Sequence, residues 1–332
     1  QSAEIRNIKE TYMETALDKY TGQIIDASQL WIIDQTEGVD KTRYVCRGCG
    51  VLANPCSYRP HNEVRPYFKA DPHHLEHCDI PLESLLIKRG RKRRLTSLRG
   101  FPGSFPNRLE LKTHRIVSHT EGLPTAPRSL PPKIKTIEDL LKIYRERPWT
   151  ANTIRPICRT FLNYPYDRDL PLTIDGILAN TYRSAFKIIK RDLFTNHIER
   201  KIFYAPMGWK TLQKTEDELE IKLGYGERPP TDEKSTINRR TLNPYRIKVH
   251  WKNWSNYQRN YVCQEFEAAR RESIEAKKNN KKAKGWVFFI GEQDHNDLSI
   301  FHVTDHRLIC CIVDELIYPT KNGAQRKALR QT

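Results

Sequence analysis

The N-terminal part of the chain alternates short apolar runs with turn residues. Residues 5–13 place apolar side chains at helical spacing and predict a short helix. Residues 16–27 contain two extended arms on either side of a Thr-Gly turn, which predicts a β-hairpin. Residues 31–33 and 44–45 add aromatic and β-branched positions that are typical of strands. We therefore expect a small, strand-rich module at this end of the chain.

After residue 135 the pattern changes to longer elements. Thr136 is a suitable N-cap for a helix with an acidic first turn, and Pro148 limits its C-terminal end. A long helix is predicted from about residue 255 to residue 278. Strands are predicted at residues 172–178, 185–189, 201–204, 245–249, 286–290 and 308–313.

The order of these elements indicates a fold class. Strands, then one helix, then further strands is the order of an OB barrel, whose helix lies between strands three and four. Gly176, inside the first of the predicted strands, suits the bend that such a barrel needs. We predict an α+β protein whose β-rich C-terminal domain resembles an OB barrel.

The chain between these two parts differs from both in composition. Residues 81–135 carry 13 Lys or Arg residues against three acidic ones, together with most of the Gly-Pro punctuation. This composition is typical of a basic connector. The predicted organisation is therefore a metal-binding module at 1–80, a connector at 81–135 and a C-terminal domain at 136–332.

The net charge of +17 changes the picture of function. Such an excess attracts polyanions through Coulomb steering and counterion release. No apolar run approaches the roughly 18 residues that a membrane span needs, and the first residues show no signal-peptide pattern. Nucleic acid is thus the expected partner, and no membrane association is expected.

The cysteines are unevenly placed along the chain. Four of the eight lie between residues 46 and 78. Without a secretory signal, this clustering is typical of metal binding in a reducing compartment and not of a disulfide framework. We therefore expect a cytoplasmic protein.

Cys46 and Cys49 have the spacing of a zinc knuckle. Two intervening residues let the backbone turn both sulfurs towards one ion. Gly48 and Gly50 tolerate the backbone angles that this turn requires. This pair is the first half of a predicted zinc site.

The second half is predicted in residues 71–78. Asp71 is a good helix N-cap and Pro72 suits the first helical position. In the short helix that would follow, His74 and Cys78 are four residues apart and project from one face. Cys46, Cys49, His74 and Cys78 would then form a closed, tetrahedral, structural Zn²⁺ site. Other residues compete for individual ligand positions, namely His73, His77, His61 and Cys56.

Several residues around these ligands form a further pattern. They are Ala16, Leu17, Asp18, Thr21, Gly22, Ile25, Ala27, Tyr44, Val45, Cys46, Cys49, Pro66, Tyr67, Phe68, His74 and Cys78. The pattern resembles the N-terminal module of CoiA-like bacterial competence proteins, over about residues 14–80. The resemblance implies a bacterial protein linked to DNA processing or anti-phage defence, so DNA is expected rather than RNA. The family's nuclease segment is not found at its expected place in residues 81–332.

A dense run of positive charge follows the predicted zinc module. Residues 88–94 carry six Lys or Arg side chains in seven positions, and such a run is expected to face water or a polyanion. Arginine forks bind two phosphate oxygens at once. The predicted nucleic-acid contacts are Lys88, Arg89, Arg91, Lys92, Arg93, Arg94 and Arg99. Aromatic residues of the C-terminal strands, such as Phe186 and Trp254, are core residues or a base-stacking surface.

An enzymatic alternative rests on one short motif. Glu220 and Lys222 form an E-x-K pattern on a strand-like segment, with Asp192 upstream. In a metal-dependent nuclease the acids would bind Mg²⁺ and the lysine would steady the attacking water or the phosphate. Alternating charged strands produce this pattern by chance, and the polar turns at residues 294–297 and 305–306 bind a metal or nothing.

Three functions therefore remain open from the sequence. The favoured one is a zinc-containing, non-enzymatic nucleic-acid-binding protein. The second is a Mg²⁺-dependent nuclease. The third is an interaction subunit of a defence or mobile-element complex.

Overall fold

A computed structural model describes residues 12–319, apart from residues 60, 63, 77, 112–147, 192, 209–211 and 228–242. The chain has a mixed α+β architecture, as predicted. The helix predicted to begin at Thr136 lies outside the described residues, as does most of the one predicted for residues 5–13. The described end of the latter, Tyr12–Met13, is a short strand, β1.

The predicted N-terminal hairpin is confirmed. It consists of β2 (Thr15–Asp18) and β3 (Gln23–Asp26), which pair antiparallel. The Asp18 carboxylate accepts hydrogen bonds from Tyr20 N and Thr21 Oγ1, at 3.0 and 2.7 Å, and so closes the turn. Three more strands complete a six-stranded sheet in the order β1-β6-β5-β4-β2-β3. These are β4 (Tyr44–Val45), β5 (Leu52–Cys56) and β6 (Tyr67–Asp71).

The strand predicted at residues 31–33 is wrong, because this segment is helical. Asp26 and Gln29 form a capping box that starts a helical turn at Ala27–Gln29. The turn continues into helix α1 (Leu30–Thr36), which buries Leu30 and Trp31. The cap at Asp26 therefore outweighs the strand preference of the residues that follow.

The predicted connector is folded in its described part. Helix α2 (Ile80–Gly90) opens it, and β7 (Pro106–Leu109) lies between β8 (Trp149–Ala151) and β9 (Thr173–Ile174) in a small parallel sheet. Helix α3 (Ile154–Asn163) follows β8 and is almost wholly buried. The strand predicted at residues 172–178 is shorter, since Gly176 has a φ of 76° and belongs to a turn.

The C-terminal part forms two further sheets. One has the order β10-β11-β15-β18 and the other β12-β13-β14-β17-β16. The long predicted helix is confirmed as α5 (Asn256–Lys278), which starts at a Ser255–Gln258 capping box. A short helix, α4 (Tyr182–Ala185), precedes β10. The strands are β10 (Phe186–Ile188), β11 (Ile202–Pro206), β12 (Gln213–Lys214), β13 (Glu218–Glu227), β14 (Asn243–His250), β15 (Lys284–Ile290), β16 (Glu292–Gln293), β17 (Ile300–Val303) and β18 (Ile309–Asp314).

These two sheets meet at a bridge between Met207 and Leu223 and curl into a half-barrel. Strand β14 runs parallel to β17, which is reached through α5, while β13 and β14 are antiparallel. An OB barrel is not confirmed, because the described strands divide into two sheets.

The N-terminal sheet is joined to the rest through a shared core. Leu17, Ile24 and Trp31 belong to the same apolar cluster as α3, α5 and β18. A buried ionic network crosses the same boundary, in which Arg65 and Arg155 both bind Glu265 of α5. The cysteine-bearing module is therefore held against the body by packing and by charge.

Candidate metal centre

The knuckle turn forms as the Cys-x-x-Cys spacing predicts. Cys46 follows β4, and its carbonyl accepts a 2.8 Å hydrogen bond from Gly50 N. Gly50 has a φ of 75°, a conformation that favours glycine. A Cβ on Gly48 would lie 2.6 Å from Asp79 Oδ1 and 2.9 Å from Cys78 Sγ, so only glycine fits between the two halves of the cluster.

The second half reaches the cluster by a different route from the predicted helix. Asp71 is the last residue of β6 and is followed by a cis bond to Pro72, so neither residue starts a helix. His74 and Cys78 lie on a loop, in which Cys78 N donates to Leu75 O at 2.9 Å. The next helix begins only at Ile80, with Asp79 at its N-cap. The ligand identities predicted from spacing nevertheless converge, although the predicted local structure is wrong.

The ligand atoms of the four side chains lie as close together as the ligands of a single metal ion do. Their ligand atoms all lie within 4.8 Å of one another. His74 Nδ1 is 3.4 Å from Cys46 Sγ and 3.6 Å from Cys49 Sγ. Cys78 Sγ is 3.7 Å from Cys46 Sγ and 3.4 Å from His74 Nδ1. The cluster can hold a metal ion, and in the described part of the chain it is the only such group of three or more.

The thiols are buried and electrostatically linked. Cys46, Cys49 and Cys78 are each at most 7% exposed. A hydrogen bond from Cys78 lowers the pKa of Cys46 far below that of a free thiol, and the same bond raises the pKa of Cys78. The cluster thus stabilises a thiolate, which is the form that binds metals.

Three of the four competing residues are described by the structure, and all three lie outside the cluster. Cys56 is on β5 and donates to Asn54 O, while His61 and His73 are exposed and outside the cluster. His77 lies outside the described residues. All eight cysteines are free thiols.

Sequence reasoning missed the groups that support the knuckle. Arg47, between the two knuckle cysteines, is buried and donates to both carboxylate oxygens of Glu83 on α2, each at 2.9 Å. Both bonds come from one nitrogen, Nη2, and they are charge-assisted, so they tie the knuckle turn to α2. The sequence signal for this support is an arginine inside the knuckle together with an acid in the first turn of the next helix.

The basic run lies at the C-terminal end of α2 and in the turn after it. Two of its arginines are bound to the body: Arg91 to Asp314 and Asn163, and Arg94 to Asp169, with Nη–O distances of 2.8 to 2.9 Å. The remaining predicted contacts are exposed and have no carboxylate partner in the described part of the chain. These are Lys88, Arg89, Lys92, Arg93 and Arg99.

The E-x-K motif lies on the solvent side of β13. Glu220 and Lys222 face each other at 3.5 Å, and Arg246 of β14 is 3.9 Å from Glu220. No described pair of further His, Cys, Asp or Glu ligands joins Glu220 in a metal-binding group. Asp192 lies outside the described residues.

The aromatic residues considered for base stacking are mostly in the core. Phe186 is 8% exposed and stacks on Phe161, with ring centroids 3.9 Å apart. Trp254 is partly buried and donates to Thr304 O at 3.0 Å. Packing is thus their main role.

No protein-family model matches the chain, and no curated protein or solved structure matches it either. Within residues 12–319, outside the undescribed gaps, no helix is both long and apolar enough to cross a membrane.

Proposed function

We propose that the Cys46–Cys49–His74–Cys78 cluster binds one structural Zn²⁺ ion. A tetrahedral zinc with Zn–S bonds of about 2.3 Å and a Zn–N bond of about 2.0 Å has ligand–ligand edges of roughly 3.5–3.8 Å. Four of the six ligand–ligand separations are 3.4 to 3.7 Å, in agreement with these edges, and the other two are at most 4.8 Å. Three thiolates and one imidazole are ligands that zinc prefers, and their burial is typical of a closed site without bound water.

We further propose that the protein binds nucleic acid, preferably DNA, without being an enzyme. The observation that carries this proposal is that some cations of the basic run bind acids of the protein while the others face solvent. Arg91 and Arg94 bind carboxylates of the body, so the backbone of the run is anchored. Its other four cations, Lys88, Arg89, Lys92 and Arg93, are left facing solvent, and so is Arg99 just beyond the run. An anchored row of cations loses little conformational entropy when it binds phosphates.

The positive surface continues beyond α2. Lys284, the first residue of β15, is paired in register with Asp314 of β18, and Asp314 also binds Arg91. Paired residues in antiparallel strands have Cα atoms about 4.5–5.5 Å apart, so Lys284 lies close to the arginine run. The last residue of α5, Lys278, and two residues of the segment before β15, Lys281 and Lys282, are also exposed cations.

Salt dependence of binding tests this surface. The Arg89→Ala/Arg93→Ala variant is expected to lower DNA affinity and to make the slope of log K against log salt shallower by about two, because each lost phosphate contact contributes about 0.9. Fluorescence anisotropy with single- and double-stranded DNA and RNA, at several salt concentrations, measures both quantities.

The matched control replaces two exposed lysines elsewhere, Lys41→Ala/Lys190→Ala, which removes the same charge. This control should leave most of the slope intact. A wild-type slope near zero would reject backbone contact and favour an interaction subunit of a larger complex. Equal effects of the two double variants would reject the α2 surface in particular.

The nuclease alternative has its own test. Because Glu220 lies between Lys222 and Arg246 and belongs to no described group of three possible metal ligands, we expect no cleavage of DNA or RNA with Mg²⁺ or Mn²⁺. Cleavage that disappears in Glu220→Ala, with zinc content unchanged, would show that the protein is a nuclease.

The cellular context is also part of the proposal. A reducing compartment such as the cytoplasm keeps the three cluster cysteines available as thiolates. The resemblance of residues 14–80 to CoiA-like modules supports a bacterial setting in DNA processing or defence.

A further inference from the structure

Two histidines meet on the outer face of the five-stranded sheet, far along the chain from the cysteine cluster. His250 ends β14 and His302 lies in β17, where it is paired in register with Lys248. His250 and Lys248 are two residues apart and so share a face. His250 Nε2 is 2.8 Å from His302 Nδ1, and the rings are stacked with centroids 5.0 Å apart.

Each histidine has a carboxylate at its other ring nitrogen. Asp294 Oδ2 lies 2.9 Å from His302 Nε2, and Glu218 Oε1 lies 3.3 Å from His250 Nδ1. In this hydrogen bond the carboxylate oxygen of Asp294 is the acceptor and His302 Nε2 is the donor. His302 therefore carries its proton on Nε2 and directs the lone pair of Nδ1 at His250.

His250 can satisfy this arrangement in two ways. With its proton on Nε2, it donates to His302 Nδ1. With the proton on Nδ1, beside Glu218, both inner nitrogens present lone pairs to the same point. Moving from the first form to the second transfers one proton within the ring and releases none. The second form is the one that binds a cation between the two rings.

We propose that His250 and His302 form a second metal site, for a divalent transition-metal ion such as Zn²⁺. Both ligands would then donate their remaining N–H to a carboxylate, an arrangement typical of metal-bound histidines. Zn–N bonds of about 2.0–2.1 Å require the two nitrogens to open from 2.8 Å to about 3.3 Å. Lys248 is the nearby cation, and it is paired with Glu218 at 3.6 Å.

The second site differs from the first in being open. The His250 and His302 side chains are 37% and 29% exposed, so water completes the coordination sphere. With two protein ligands instead of four, the ion is expected to be held more weakly than in the buried cysteine cluster. The inference does not depend on nucleic-acid binding.

Calorimetric titration with Zn²⁺ tests this site on protein that already holds one zinc ion per chain. We expect the wild type to take up a second equivalent, and both His302→Ala and His250→Ala to lose it while keeping the first. Asp294→Asn should weaken the second equivalent by about 10- to 100-fold, since it removes the acceptor that orients His302.

His295→Ala is the matched control, because His295 is an exposed histidine next to Asp294. It should keep the second equivalent. If the wild type takes up no zinc beyond the first equivalent, the proposal is overturned, and the two rings simply share a hydrogen bond. If both His302→Ala and His250→Ala keep the second zinc equivalent, or if His295→Ala loses it, other residues hold the ion and the proposal is overturned as well.

Discussion

Cys78→Ser is expected to release the metal ion and to unfold the cysteine-bearing module. Cys78 Sγ lies 3.7 Å from Cys46 Sγ and 3.4 Å from His74 Nδ1, so the substitution removes one of the four proposed zinc ligands. Structural zinc in small finger domains contributes about 10–16 kcal/mol to folding, which is comparable with the whole stability of a typical domain. The small apolar cluster around the cysteines cannot replace that contribution.

Elemental analysis and thermal unfolding together measure this effect. The zinc content should fall from one ion per chain to near zero, and the variant should unfold at a lower temperature. Cys56→Ser is the control, since Cys56 is a cysteine of the same sheet that lies outside the cluster. Full zinc content in Cys78→Ser, or an equal loss in Cys56→Ser, would contradict the assignment of ligands.

Glu265→Gln is expected to destabilise the protein by about 3–5 kcal/mol, because it leaves the buried Arg155 without its closest countercharge. Glu265 is 1% exposed and accepts from Arg65 at 2.7 Å, from Arg155 and from Cys311 N at 3.1 Å. Asp26, the other acid near Arg155, lies farther away, at 3.8 Å from Nε, and burial raises the pKa of its carboxyl. The change therefore weakens the junction between the N-terminal sheet and the body.

The acid dependence of stability provides a second readout. Burial alone would raise the pKa of Glu265, but Arg155 and Arg65 bring it below its ordinary value. Its stabilising contribution is therefore present above the unfolded-state pKa of about 4.3 and is lost as the pH falls through the lower folded-state value. Glu265→Gln should lack this part of the acid dependence.

Urea titration at pH 7 gives the free energy of unfolding for this comparison. Glu267→Gln is the control on the same helix, since Glu267 is exposed and pairs with Lys214 at 3.5 Å. Exposed pairs of this kind contribute at most about 1 kcal/mol. A loss in Glu265→Gln no larger than in this control would mean that the buried network does not hold the module.

Local signals in the sequence predicted the elements whose own residues supply the hydrogen bonds. The hairpin at β2 and β3 and the helix at α5 formed where expected, since a turn and a capping box are properties of adjacent residues. Residues 31–33 were wrongly predicted as a strand, although the Asp26 capping box that makes them helical was visible in the sequence. The capping box decides the structure of these residues, because its hydrogen bonds outweigh their preference for strands.

The arginine run shows a different kind of miss. Composition predicts a basic connector, because Lys and Arg without nearby acids are expected to stay in solvent. Arg91 and Arg94 instead bind Asp314 and Asp169, which lie 223 and 75 residues further along the chain. Partners at such separations have no signature in a local pattern.

By itself, the sequence determined the kind of donors and left the final set open: a Cys46–Cys49 pair at knuckle spacing with further cysteines and histidines up to Cys78, a strong positive charge and an α+β succession of elements. These follow from residue type and short-range spacing, which do not change on folding. Only the tertiary structure decided that His74 and Cys78 reach the cluster on a loop, that two arginines anchor the basic run, and that His250 and His302 meet across neighbouring strands. Each of these depends on distant segments being brought together, because strand pairing and core packing depend on the whole chain.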